Sequence, residues 1–154
     1  MKKTAKRTMD VVTAQTTLRL SASGAAMLLG ELEHALLDAA WTLDRAASAR
    51  ELYDIVADHR TIEYITAVTV LNRLVLDKQL MRRKKVENLF RYSAVVSRDE
   101  FMRRASRHVV ERVLALGADA VASSMVDVLA ERDPDKLAEL GRMVRRKLRE
   151  SDNQ

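Results

Sequence analysis

No cysteine occurs in the chain, which excludes disulfides and thiolate metal sites alike. Proline appears once, as Pro134, and glycine only four times. A turn-rich β architecture is short of turn formers at that composition, so long helices are expected. No apolar run is long enough to cross a bilayer. The basic start, Met1-Lys-Lys-Thr-Ala-Lys-Arg7, has the charge of a secretory leader, but Asp10, Gln15 and Arg19 interrupt what would be its apolar stretch. A cytoplasmic protein without membrane insertion is the expectation. The histidines, His34, His59 and His108, are scattered and have no metal-ligand spacing. There is no glycine-rich phosphate loop and no G-x-S-x-G setting for a serine. Neither a catalytic, a metal nor a cofactor site is expected, and the chain does not read as an enzyme.

What is present suits a packed helical protein. The 154 residues are 47% hydrophobic, enough for one domain with a modest extension. Lys and Arg number 27 against 22 Asp and Glu, a net charge of +5. An excess of that sign suggests an anionic partner, and nucleic acid is the first to test.

Residues 1–24 are rich in Lys, Thr, Ser and Ala without a clear period, and read as a basic tail, either a solvated segment or an arm touching a nucleic-acid backbone. From 25 to 43 a helix is expected, because Leu28, Leu29, Leu32, Leu36, Leu37 and Leu43 fall at helical spacing, with Trp41 as a core anchor. Ser48 opens a second helix through a capping box with Glu51, burying Leu52, Ile55 and Val56 and ending near His59.

The third helix, about 63–78, organises the rest. Its inner face is Ala67, Val70, Leu71, Leu74 and Val75. Its outer face is Ile65, Thr66, Thr69, Asn72, Arg73 and Leu76. Those are short polar side chains with one Arg, rather than the Glu/Lys mixture of an ordinary solvated face. Thr and Asn can approach base edges, and Arg73 can hold a phosphate or a guanine. Residues 80–96 then read as a β-hairpin. Arg82, Arg83, Lys84 and Lys85 lie on its first strand, Phe90 and Tyr92 alternate with Arg91 and Ser93 on its second, and the turn is Val86-Glu-Asn-Leu89 with Asn88 suited to positive φ. A helix pair, a third helix and a basic hairpin form the order of a winged helix-turn-helix, with the third helix in the major groove and the hairpin along the backbone.

Three helices follow. The first begins with a Ser97–Glu100 capping box, carries Phe101, Ala105, Val109, Val113 and Leu116 on one stripe, and stops at Gly117. The second, about 118–132, offers Val121, Met125, Val128 and Leu129. The third opens at Asp133-Pro134 and presents Leu137, Leu140, Val144 and Leu148 as a seam. This is more apolar surface than one small winged domain covers, and a second copy of the chain is the expected partner. Phe101, Val109, Val113, Met125, Leu129, Leu137, Leu140 and Val144 are the candidate dimer contacts. The cations Arg142, Arg145, Arg146, Lys147 and Arg149 complement the last helix's dipole.

Four segments together resemble the penicillinase-repressor (BlaI/MecI) family of winged-helix regulators. Leu29-Gly-Glu-Leu-Glu-His-Ala-Leu-Leu-Asp-Ala-Ala-Trp41 is similar to its opening L-G-x-L-E…W helix. Tyr64-Ile-Thr-Ala-Val-Thr-Val-Leu-Asn-Arg-Leu74 is similar to its Y-T-T-V-x-T-x-L-x-R-L recognition helix. Phe90-Arg-Tyr92 resembles the end of its wing, and Ser97-Arg-Asp-Glu-Phe101 the start of its dimerisation region. The resemblance covers about residues 28–146 and implies a homodimeric repressor on a palindromic double-stranded DNA operator, with Thr66, Thr69 and Arg73 at DNA-facing positions. Ile65 stands where the family has its first helix Thr, the turn lacks Asp-Gly, and Ala94 stands in place of Pro. The Asn-Phe cleavage dipeptide and C-terminal Cys motif of some members are both absent.

The sequence thus specifies a mainly α protein in three parts: a tail at 1–24, a winged helix-turn-helix domain with a small β-hairpin wing at 25–96, and a helical dimerisation region at 97–150. Its leading function is a sequence-specific repressor. Arg82, Arg83, Lys84, Lys85 and Arg91 would contact phosphates, and Ile65, Thr66, Thr69, Asn72 and Arg73 would face the bases. The alternatives are a helical interaction adaptor on the same scaffold and an architectural DNA binder indifferent to sequence.

Overall fold

The computed structural model describes residues 28–154; the basic tail expected at 1–24 and residues 25–27 of the first expected helix lie outside the described residues. Helix α1 spans Glu31–Leu43, beginning later than residue 25. Glu33 explains the start: its carboxylate accepts the Gly30 N–H at 3.0 Å, satisfying a donor that helix geometry leaves unpaired. Leu29 precedes the helix and is still buried. Asp44, in the left-handed region at φ 51°, ends α1 by donating its N–H to the Ala40 carbonyl.

A two-residue strand, β1 (Ala47–Ser48), leads into α2 (Ala49–Ala57). The expected capping box is present. Ser48 Oγ accepts from the Glu51 N–H at 3.2 Å, and Glu51 Oε2 accepts from the Ser48 N–H at 2.7 Å. Helix α3 runs Tyr64–Leu76, shorter at each end than 63–78. Its end is set by Asp77 and Lys78, whose N–H groups both return to the Arg73 carbonyl. Gln79 then turns the chain at φ 53°, and Leu80 is buried.

The wing is a hairpin of β2 (Met81–Val86) and β3 (Leu89–Ala94). Glu87 and Asn88 both hold positive φ, 48° and 66°, as a two-residue type I′ turn requires. β1 adds to the hairpin through Ala47↔Tyr92 and Ser48↔Arg91, giving an antiparallel sheet of order β1-β3-β2. This third strand is too short to leave a period in the sequence.

One core joins these elements: Leu36 and Leu37 of α1, Leu52 and Val56 of α2, Ala67, Leu71 and Leu74 of α3, Met81 and Tyr92 of the wing, and Phe101 and Ala105 of the next helix. That helix, α4, spans Arg98–Leu114. Ser97 Oγ caps it by accepting the Glu100 N–H. The Glu100 carboxylate pairs instead with Arg103 and Arg104, so the Ser97 half of the expected capping box forms and the Glu100 half does not. Trp41 fixes the entry, its Nε1 donating to the Val96 carbonyl at 2.9 Å and its ring lying 5.5 Å from that of Phe101.

The described chain divides into two compact units between His108 and Val109, inside α4. The sequence placed the start of the dimerisation region at 97. The division between compact units lies inside α4 because the first turns of that helix bury Phe101 and Ala105 in the winged core. In the second unit, α5 (Ala118–Arg132) and α6 (Pro134–Asp152) match the sequence reading. Gly117 stands before α5 at φ +139°, a conformation that favours glycine, so α4 stops at Leu114 and Leu116 is left 84% exposed. Pro134 occupies the first turn of α6, and Asp133 caps it by accepting the Lys136 N–H at 2.9 Å.

Glu51 joins α2, β1 and β3. Besides the Ser48 N–H, it accepts from Arg45 at 2.8 Å and Arg91 at 2.9 Å. The Ser48 amide first, and then Arg45, hold its carboxyl down to about 2, against an ordinary 4.5. A folded-state value below the unfolded one stabilises the fold above pH 4.5, and that contribution disappears as pH falls from there towards 2. Glu51→Gln is therefore expected to melt below wild type at pH 7, with the two melting temperatures converging as pH falls through this window. Parallel shifts of both melting curves at every pH would show that the ionised carboxylate contributes nothing.

Candidate nucleic-acid interface

Helix α3 is built as a two-faced element. The 3.6-residue period brings Ala67, Val70, Leu71 and Leu74 to one side, where all are buried. Ile65, Thr66, Thr69, Arg73 and Leu76 remain exposed, Ile65 at 71%. The structure thus brings four of the five expected base-facing residues to an open surface. The fifth, Asn72, is half-buried with its carbonyl occupied. Its Oδ1 accepts from Arg83 Nη1 at 2.7 Å and from the Tyr92 hydroxyl at 3.3 Å, so Asn72 ties the helix to the wing. Thr69 donates its hydroxyl to the Ile65 carbonyl at 2.9 Å, which fixes the rotor.

The hairpin register sorts its cations. Arg83↔Tyr92 and Lys85↔Phe90 share one face of the ribbon; Arg82↔Ser93 and Lys84↔Arg91 share the other. The first face meets α3 through Tyr92 and Asn72. There the Arg83 guanidinium sits 4.6 Å from the centroid of the Phe90 ring as well as on Asn72. Both partners are neutral, so Arg83 is held in place with its full charge available. Arg82 is likewise held by the neutral Ser93 hydroxyl, at 3.2 Å. Arg91 differs, since it pairs with Glu51, and Arg73 has the Glu33 carboxylate 3.8 Å away. Glu33 is nearly buried at 8% exposure, which anchors that end of the pair. The wing tip adds exposed apolar surface in Val86, Leu89 and Phe90.

A second cluster, which the sequence reading did not single out, lies at the start of α3. Arg50 of α2 stands over the rings of Tyr53 and Tyr64, and the two rings meet edge to face at 5.4 Å. The only signal for it in the sequence is a cation in the first turn of a helix.

The candidate dimer residues divide. Phe101 is fully buried against Trp41 in the winged unit; this corrects its assignment to a dimer face. Val109, Val113, Leu129, Leu137 and Leu140 are partly exposed and Met125 and Val144 are exposed, all within the second unit.

The sequence profile of the penicillinase repressor family matches residues 29–146. The chain belongs to that family. As a penicillinase repressor relative it is a DNA-binding transcriptional regulator and not an enzyme. Transcriptional regulator BlaI of Mycobacterium tuberculosis, in strains CDC 1551 / Oshkosh and ATCC 25618 / H37Rv, is 29% identical over 119 residues, covering 66% of this chain and 86% of the relative. A solved structure of Bordetella bronchiseptica BpsR, a protein whose DNA binding is regulated by 6-hydroxynicotinic acid, aligns at 14% identity and a TM-score of 0.39 over 95% of this chain and 88% of that one. Among the described residues no helix is long and apolar enough to cross a membrane.

Removing the bracket between helix and wing tests its role. Asn72→Leu is expected to leave melting cooperative while releasing the Arg83 side chain, read as a fall in the order parameter of its side-chain N–H groups by nitrogen relaxation. An unchanged order parameter would mean that Phe90 stacking alone holds Arg83.

Proposed function

We propose that this penicillinase repressor relative acts as a homodimer on a palindromic operator, with α3 in the major groove of each half-site and the β2–β3 wing on the backbone beside it. The observation that carries the reading is the exposed face of α3. Thr66, Thr69 and Ile65 stand open at its N-terminal half, and the hydrogen-bonded bracket Asn72–Arg83 joins the same helix to a cationic wing. Short side chains let a helix sit deep in a groove, where a Thr methyl meets a thymine methyl and its hydroxyl an acceptor. Arg82, Arg83, Lys84 and Lys85 supply phosphate contacts that fix register without reading sequence.

The second unit supports the pairing. From Val109 to Gln154 no residue is buried, yet Met125, Val128, Val144 and Leu148 are 44–60% exposed. Apolar surface of that extent on a chain of this length is stabilised by covering it, and a second copy supplies the matching surface. Two copies would place their reading helices about one helical turn of DNA apart, or a small multiple of it.

Selection of bound duplexes from a random pool is expected to enrich a two-fold symmetric site. On that site Thr69→Ala should cost about 1–3 kcal/mol, with little change on unrelated duplex. Arg83→Ala should weaken binding to every duplex and flatten its salt dependence. A pool that enriches nothing while all duplexes bind equally would indicate an architectural binder, and no binding at all a protein adaptor. For the pairing, Leu140→Asp and Val144→Asp are expected to give monomers by light scattering with much weaker operator binding. A monomeric native chain would overturn the assignment.

A further inference from the structure

We propose that Arg50 is a phosphate contact of this interface, racked on Tyr53 and Tyr64 at the start of the recognition helix. The inference rests on the reading of α3 as the groove-facing helix. Arg50 occupies the first turn of α2, where the helix dipole disfavours a cation. It takes no part in the cap, which Ser48 and Glu51 complete between themselves. What holds it is aromatic. Its guanidinium carbon lies 5.3 Å from the Tyr53 ring centroid and 5.6 Å from that of Tyr64. Those rings stand at 88° to each other, and the Tyr53 hydroxyl donates to the Ile62 carbonyl at 3.3 Å, pinning its ring. The rack therefore draws on α2, on the segment before α3, and on the first residue of α3.

An arginine lying against aromatic faces keeps the N–H donors at its rim available, and their fork matches two oxygens of a phosphate. The side chain is 67% exposed, so the rim is open. Its guanidinium pairs with Asp54, at 3.1 Å and itself 58% exposed. A phosphate can displace an exposed pair of that kind, while the carboxylate still competes with it several-fold. Tyr64 immediately precedes Ile65 and Thr66 in α3. A phosphate held at Arg50 would fix the end of the helix from which those side chains reach the bases, while Arg83 fixes the wing further along the helix through Asn72.

The test uses the full chain and a fluorescein-labelled duplex of mixed sequence, titrated over a series of KCl concentrations, so that no operator need be known. Arg50→Gln is expected to bind several-fold more weakly and to lower the slope of log affinity against log salt by about one. Its melting temperature should match wild type, since the side chain is largely exposed. Asp54→Asn removes the competing carboxylate and is expected to tighten binding several-fold in the wild-type background, but not in Arg50→Gln. An Arg50→Gln protein with the wild-type slope, whether or not its affinity changes, would overturn the proposal, as would Asp54→Asn leaving affinity unchanged. If the wild-type chain itself shows no salt-dependent duplex affinity, the groove-facing reading of α3 falls first.

Discussion

The burial of one side of α3 is the constraint on which the rest depends. Ala67, Leu71 and Leu74 are wholly inaccessible and Val70 nearly so. Each fully buried leucine contributes on the order of 1.5–3 kcal/mol, a large fraction of the 5–15 kcal/mol typical of a whole domain. With that side committed to α1, α2 and β2, helical geometry leaves the rotation of α3 no freedom. Ile65, Thr66, Thr69 and Arg73 are therefore presented outward by the packing of other residues, and none of them fills the core. A helix so fixed can change what it reads without changing how it folds.

The handling of charge follows the same division. Carboxylates hold the cations that knit the scaffold: Glu51 takes Arg45 and Arg91, and Asp38 takes Arg98, whose guanidinium also lies over Trp41. At the proposed contact surface the holders are neutral except at Arg50, which also pairs with the exposed carboxylate of Asp54. Asn72 and Phe90 position Arg83, Ser93 positions Arg82, and two tyrosines position Arg50. A neutral holder lowers the entropy cost of fixing a long side chain without cancelling its charge, which is the condition for a strong contact to an anion. Arg73 is intermediate, with Glu33 close by but at 3.8 Å.

Much of this was legible in the residues because it is local. The Ser48–Glu51 box, Asp133-Pro134, the two faces of α3 and the period-two alternation of the wing are short-range signals, and each appears where it was read. What was not legible depends on distant partners. Ala47 is wholly buried because it pairs with Tyr92, forty-five positions on, and two residues cannot display a strand period. Phe101 shares a helical stripe with Val109 and Val113, but periodicity cannot say that Trp41 covers the first turns of α4 and leaves the later ones open. Asn72 looked like a base reader by type, and only the fold brings Arg83 and Tyr92 to its carbonyl. Arg50 was hidden for the same reason, since its two rings come from different elements.

The central claim is that α3 reads the major groove, and altering that groove alone tests it most directly. In a bound duplex, purines can be replaced one at a time by 7-deazapurines and thymines by uracils, which removes major-groove groups and leaves the minor-groove edges intact. The account predicts losses of about 1–3 kcal/mol confined to two symmetric clusters of positions, with the thymine-methyl losses abolished in Thr69→Ala. Affinity indifferent to every major-groove replacement would contradict it.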